Sequence, residues 1–158
     1  MAALSGCGSS SPKLRVVNPA RVSSAIAASV RRERRVSATI TCPTGVPLKA
    51  RTQFYCVAQR GGQITPFRVM QTDGSGDIAF VGVDPRSAPL LATTAVSEDI
   101  AASIRRSRNA RATVHCPEGM PRQRGLSFVC SATVLAHKLT LFKVTQVDTD
   151  GHVRYQKL

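Results

Sequence analysis

Thr39-Ile40-Thr41-Cys42-Pro43, closed by Phe54-Tyr55-Cys56, returns as Thr113-Val114-His115-Cys116-Pro117, closed by Phe128-Val129-Cys130. Each copy reads as a β-branched strand running into a proline turn and a second strand leaving it, with one cysteine on each. The correspondence spreads outward from this cassette. A constant offset of 74 takes Val22 to Val96, Ile26 to Ile100, Arg31-Arg32 to Arg105-Arg106, Gly45 to Gly119 and Pro47 to Pro121. One inserted residue raises the offset to 75, which takes Phe67-Arg68-Val69 to Phe142-Lys143-Val144, Gln71 to Gln146, Asp73 to Asp148 and Phe80 to Tyr155. A nearly gapless match of this length identifies a tandem repeat.

One unit can be read element by element. Pro19 suits the first turn of a helix, and Val22, Ile26 and Val30 recur every four residues to give one apolar stripe. The arginines that follow sit where the helix dipole favours cations. Residues 36–42 alternate as a strand, 52–59 form a second, 67–72 a third and 77–83 a fourth. Turns are expected at Gly61-Gly62 and at Asp73-Gly74-Ser75-Gly76. In the second unit, Val96, Ser97 and the acidic pair Glu98-Asp99 read as a better helix start than the first unit has. The expected fold class is α+β: two tandem repeats, each an N-terminal helix packed on a four-stranded antiparallel meander. Repeat 1 is assigned to 16–83, a linker to 84–93 and repeat 2 to 94–158, after an N-terminal segment over 1–15.

A module of roughly 70 residues lies near the lower size limit for a self-sufficient core. Aromatics make up 4% of the 158 residues and Trp is absent, so the core must come mainly from Val, Ile, Leu and Ala. Staples or mutual packing are therefore required. The chain supplies five cysteines, of which four form two equivalent pairs. Four cysteines allow three connectivities in principle. A duplicated module carries its own staple, which selects Cys42 with Cys56 and Cys116 with Cys130. Closing a loop of this size stabilises by about 3 kcal/mol in loop-entropy terms. Metal binding is not expected, because no Cys-x-x-Cys or clustered histidine occurs, and His115 stands where repeat 1 has Thr41. Disulfides imply an oxidising, extracytoplasmic compartment.

The repeats resemble a small uncharacterised domain of actinobacterial secreted proteins and lipoproteins. That domain runs from a helix to a valine-rich strand ending in Cys-Pro, then a glycine loop, an aromatic-x-Cys strand and two further strands. Gly125-Leu126-Ser127-Phe128-Val129-Cys130 fits its Gly-x-x-aromatic-x-Cys pattern, while repeat 1 carries Arg51 at the glycine position. The resemblance implies an envelope location, often through a lipidated N-terminal cysteine, and implies no activity. Leu4-Ser5-Gly6-Cys7 resembles a bacterial lipobox, followed by the tether Gly8-Ser9-Ser10-Ser11-Pro12. Cys7, the odd cysteine, is thus the expected lipidation site, anchoring the protein through a diacylglyceryl group. Only six residues precede it, whereas a secretory signal carries a basic region and an apolar stretch of about 7–15 residues. The lipobox reading therefore expects such a segment upstream. In layout the chain is also similar to bacterial β-lactamase inhibitor proteins, which pair two disulfide-bearing helix-plus-sheet repeats and bind an enzyme through a sheet face.

Lys and Arg total 22 against 9 Asp and Glu, a formal net charge of +13. Such a charge suits an anionic partner. The duplicated basic helix ends, Arg31, Arg32, Arg34 and Arg35 with Arg105, Arg106 and Arg108, are candidates for binding anionic lipid or an acidic envelope polymer. Nucleic acid is not expected, because no aromatics interleave the cations as a stacking platform would require. No catalytic constellation is legible. His115, His137 and His152 fall in no motif, and Glu33, Glu98, Asp99 and Glu118 show no pairing. The Asp73 to Asp77 run and its counterpart at Asp148 read as hairpin turns, lacking the remaining ligands of a calcium loop. No cofactor is expected. The function expected is a non-enzymatic envelope lipoprotein or secreted binding module with an unidentified protein partner, and the second expectation is an inhibitor of a secreted enzyme. Intact mass with and without reductant should reveal two disulfides; free thiols at all four repeat cysteines would overturn both the staple and the compartment.

Overall fold

The computed structural model describes residues 14–135 and 138–158. Cys7 and His137 lie outside the described residues. The chain runs α1 (Pro19–Arg34), β1 (Thr39–Thr41), β2 (Gln53–Arg60), β3 (Gln63–Gln71) and β4 (Ile78–Gly82), then α2 (Thr93–Arg108), β5 (Ala112–His115), β6 (Ser127–Val134), β7 (Lys138–Gln146) and β8 (Val153–Lys157). The strands form two four-stranded antiparallel sheets in sequential order, β1-β2-β3-β4 and β5-β6-β7-β8. Each repeat is one helix on one meander, as the α+β reading expects.

The helices bury the predicted stripe: Val22, Ile26 and Val30 in α1, with Val96, Ile100 and Ile104 in α2. Their starts reverse the sequence reading. In α1 the Asn18 side chain accepts from the backbone N–H groups of Ala20 and Arg21 at 3.0 and 3.3 Å, and Pro19 occupies the first turn. α2 begins at Thr93 with no side-chain cap, which leaves Glu98 and Asp99 beyond its first turn. The start is set by tertiary contact. Leu91 N–H donates to the Met120 carbonyl at 2.8 Å, as Val17 N–H does to Val46, and Thr93 is buried. Residues 89–93, read as linker, thereby dock against repeat 2, where Leu90 also bridges Pro121.

Two strand limits also move. β1 is shorter than the alternating run 36–42, and β3 begins at Gln63 rather than Phe67. Pro66 lies inside β3 although proline cannot donate to a ladder. Its carbonyl accepts from Val83 N–H, so its nitrogen points to the same side, past the end of β4 at Gly82, and the ladder to β2 loses nothing.

The disulfides Cys42–Cys56 and Cys116–Cys130 are formed. The register Thr41↔Val57 brings Cys42 opposite Cys56, and His115↔Ser131 does the same for Cys116 and Cys130. Each staple thus closes the mouth of the first strand pair, where the chain leaves for a loop. No helix among the described residues is long and apolar enough to cross a membrane.

A second duplicated device holds that loop. Gln71 and Gln146 are fully buried on the helix side of their sheets. The Gln71 side chain donates to the Pro47 carbonyl at 2.8 Å and accepts from Lys49 N–H at 3.1 Å. Gln146 repeats this with the Pro121 carbonyl at 2.9 Å and Gln123 N–H at 3.0 Å. A primary amide offers both a donor and an acceptor, so one side chain satisfies two backbone groups that would otherwise be buried unpaired. Replacing Gln146 with Leu removes both bonds. We expect a stability loss of about 1–3 kcal/mol for each backbone group left unpaired, read from the denaturant midpoint; an unchanged midpoint would show that the loop does not depend on the amide.

Candidate functional site

The apolar core divides by repeat with one exception. Val57 and Ile64, both in repeat 1, belong to the cluster built from Leu91, Met120, Leu126 and the rest of repeat 2. Strand alternation explains why. On β2 and β3, Phe54, Cys56, Phe67 and Val69 face α1, which leaves Tyr55, Val57, Ile64 and Pro66 on the opposite face. Repeat 2 covers that face with its loop between β5 and β6. A Cβ on Gly119 would lie 3.9 Å from that of Ile64 and 3.5 Å from that of Pro85. The Gln123 side chain accepts from Tyr55 N–H at 3.2 Å, just beyond the point where β1 stops pairing with β2. Thr44 N–H donates to the Gly125 carbonyl at 3.1 Å.

Gly125 and Arg51 share one backbone conformation for different reasons. Their φ values are +79° and +64°, and each N–H donates to the carbonyl of the buried glutamine of its repeat. Arg51 is exposed and carries its side chain into open space. At Gly125 a Cβ would collide with the backbone carbonyl of Thr44. The glycine of the Gly-x-x-aromatic-x-Cys pattern is therefore needed in repeat 2, where another chain segment lies against it, and dispensable in repeat 1.

The docking is head-to-tail, so its two halves are used once each. The equivalent face of the second sheet is open. Ile64 is 8% exposed whereas its counterpart Leu139 is 65% exposed, and Val129 and Leu141 are 44% and 40% exposed where Tyr55 and Pro66 are covered. Lys143 lies on this same face, and Arg154 stands opposite Thr145 on β8. The sequence reading assigned each sheet one apolar face, under its helix, and did not anticipate that the outer face of the first sheet would be covered as well.

Two hollows follow the junction between the repeats, and a third adjoins them on the second sheet. The largest, about 670 Å³, is lined by Thr44, Thr52, Gln53, Gln123, Arg124, Thr145 and Arg154, with Val46 and Phe54 among its apolar walls. A second, about 350 Å³, runs between Thr39, Thr41 and Gln59 of the first sheet and Ser127, Val129 and Lys143 of the second. A third, about 300 Å³, shares Thr145 and Arg154 with the largest and adds Lys143 and Gln156. None of the three is lined by a carboxylate.

The residues singled out from sequence fall elsewhere. Arg31, Arg32, Arg34 and Arg35 cluster at the exposed end of α1, and Arg105, Arg106 and Arg108 at that of α2. Arg34 and Arg108 border small cavities of about 230 and 150 Å³ beside their helices, apart from the inter-repeat trough. His115 is exposed on β5. Asp148, Asp150 and His152 converge, with candidate ligand atoms within 4.8 Å of one another. Turn closure accounts for this cluster: Asp148 Oδ1 accepts from the N–H groups of Asp150, Gly151 and His152, as Asp73 Oδ1 does from Ser75, Gly76 and Asp77. Desolvation raises the Asp148 carboxyl, but hydrogen bonds led by that from His152 outweigh it and leave it below its usual range. Asp73 is held low chiefly by the Ser75 hydroxyl and amide.

Comparison of the chain with protein-family models, curated proteins and solved structures found no match. The site therefore rests on its own geometry. Gly125→Ala should lower stability by at least about 2 kcal/mol, since a left-handed residue with a side chain already costs about 1–2 kcal/mol and the Thr44 backbone must also retreat. Arg51→Gly, at the equivalent backbone conformation, should leave the urea midpoint unchanged or higher. Equal losses for the two variants would remove the inter-repeat contact as the reason for the glycine.

Proposed function

We propose that the protein is a non-enzymatic cell-envelope lipoprotein or secreted module that binds a partner through the open face of its second sheet and the adjoining inter-repeat trough. The observation that carries this reading is the internal comparison. The same sheet face exists twice, it is buried by a docked loop in repeat 1, and it stands uncovered in repeat 2 with Val129, Leu139 and Leu141 exposed. Apolar residues grouped on one face in this way mark interaction surfaces.

The repeats are taken as copies of the small actinobacterial secreted domain that they resemble, and the two disulfides agree with an oxidising compartment. Cys7 is the proposed lipid attachment point. Seven residue steps separate it from Leu14, which lines the largest hollow. Extended chain covers at most ~25 Å over that span, so lipidation would hold the trough close to the membrane. The exposed arginines at the helix ends would then add attraction to anionic headgroups, worth about 1 kcal/mol per cation near the surface.

A second reading is favoured by the trough itself, which is flanked by faces of both sheets: an inhibitor-like protein that seats a secreted enzyme there. The two readings separate by partner. Affinity capture from envelope extract with the wild type and with a Leu139→Asp/Leu141→Asp variant should give a band that the variant loses, and the identity of that band distinguishes polymer-associated protein from free enzyme. A band retained at equal intensity by the variant would remove the sheet face from the function. Lipidation is tested separately by labelled palmitate incorporation into the protein expressed from its full gene, with Cys7→Ser as control.

A further inference from the structure

We propose that the inter-repeat trough binds a linear acidic polysaccharide. The inference rests on the binding-module reading above and assigns its ligand class. Three observations converge on it.

The first is charge. Arg124 and Arg154 line the largest hollow and Lys143 the two beside it, with no carboxylate in any of the three linings. Neither of the arginine–carboxylate ion pairs among the described residues, Arg21–Asp77 and Arg86–Asp84, involves these cations. They are left to face an external anion, and guanidinium groups match carboxylate oxygens in pairs.

The second is the character of the remaining walls. Hydroxyls and amides dominate: Thr44, Thr52 and Gln53, together with Thr145 and Gln123, whose side-chain oxygens already engage the Ser127 hydroxyl and the Tyr55 N–H. Among the described residues Gln53 has only a 3.9 Å contact to the Met70 sulfur, which leaves its amide oxygen to bond elsewhere. Side chains that both donate and accept suit a polyhydroxylated ligand, whose hydroxyls do the same. A single-stranded nucleic acid would instead need exposed aromatic faces for its bases. Phe54, Phe128 and Tyr155 are the aromatic residues in the three linings; Phe54 and Phe128 are buried and Tyr155 is half-buried, each packed against the core of its own repeat.

The third is shape. The largest hollow, about 670 Å³, is of a size that takes a small ligand. It does not stand alone. Thr145 and Arg154 are shared with one neighbouring hollow, Thr44 and Gly125 with the other. Contiguous sites with cations along them fit an extended chain carrying charge at intervals better than a single sugar. Because the two larger hollows exist only where the repeats meet, the duplication that leaves one sheet face open also creates them.

The test is titration calorimetry of the whole chain at low salt with galacturonate oligomers. We expect the hexamer to bind, the monomer to bind at least about tenfold more weakly, and neutral maltohexaose to give no heat of binding. Arg124→Ser and Arg154→Ser should each weaken the hexamer by about tenfold, consistent with loss of a charge-assisted contact. Arg31→Ser/Arg32→Ser, at the helix end, should leave it unchanged. Both cleft arginines are exposed, so folding is not at stake in these variants. Equal affinity for maltohexaose, equal affinity for the monomer, an equal loss in the helix-end variant, or tighter binding of hexathymidylate than of the galacturonate hexamer would each overturn the proposal. Failure here leaves the sheet-face reading open, since that is tested by the aspartate substitutions at Leu139 and Leu141.

Discussion

Val57 and Ile64 are buried by the wrong repeat, and the tertiary arrangement depends on that contact. Each sheet has one face covered by its own helix and a second face with enough apolar surface to need some cover. In repeat 1 the loop from Cys116 to Leu126 supplies it, through Met120 in the shared core and Gln123 on the β2 edge. Burying apolar side chains at about 25 cal/mol per Å² is a substantial term for units this small. The repeats are therefore not two independent beads. Part of the first sheet's apolar burial, at Val57 and Ile64, is contributed by the second unit.

Head-to-tail docking has a consequence that face-to-face docking would lack. A symmetric contact would use up both sheet faces together, whereas a heterologous one leaves one face and one loop unpaired at the ends. The loop that seats on no sheet face belongs to repeat 1, although its Thr44 meets Gly125 of the docked loop. Its backbone is held by Gln71 as the docked loop is held by Gln146, but it carries Lys49 where the docking loop has Gln123, and Arg51 where it has Gly125. The arginine occupies the position at which a close backbone approach needs no side chain at all. A second copy therefore cannot dock on the open face of repeat 2 by repeating the internal contact, and Lys143 on that face would meet Lys49 as a like charge. The loop end is thus unsuited to that one mode of self-association, while the sheet face stays uncovered.

The duplicated devices show how a thin core is made sufficient. The disulfide joins the two strands at the point where they part, and the buried glutamine ties the loop that leaves them back to β3 or β7. Together they fix a loop of proline, glycine and polar residues that would otherwise have little reason to hold one shape. That rigidity matters for the proposed trough, because Thr44, Gln123, Arg124 and Gly125 all lie on these loops. A binding surface made of loops is only as definite as the scaffold that holds them.

By itself the sequence determined the duplication, the fold class, the disulfide pairing, the helix stripe and the hairpin turn at each Asp73-type position. All of these are expressed locally, through periodicity, turn chemistry or the offset between repeated residues. It misplaced the start of α2, because Glu98 and Asp99 imitate a first turn while the real start is held by Leu91 and Thr93 against the following loop. It shortened β3, whose Pro66 is tolerated because its missing donor faces no partner, and that depends on where β4 ends. Strand alternation puts Gln71 on the face of Phe67 and Val69, but the loop groups that Gln71 and Gln146 satisfy there, at Pro47 and Lys49 or Pro121 and Gln123, depend on how the loop folds back. Which sheet face is covered was decided only by tertiary structure. Val57 and Leu139 belong to alternating strands of the same pattern, and period-two alternation reports that a face exists without saying what lies on it. One glycine is part of the difference. Gly125 could be read as a family feature, but its physical reason, the Thr44 carbonyl lying where a side chain would be, exists only once the two repeats have met.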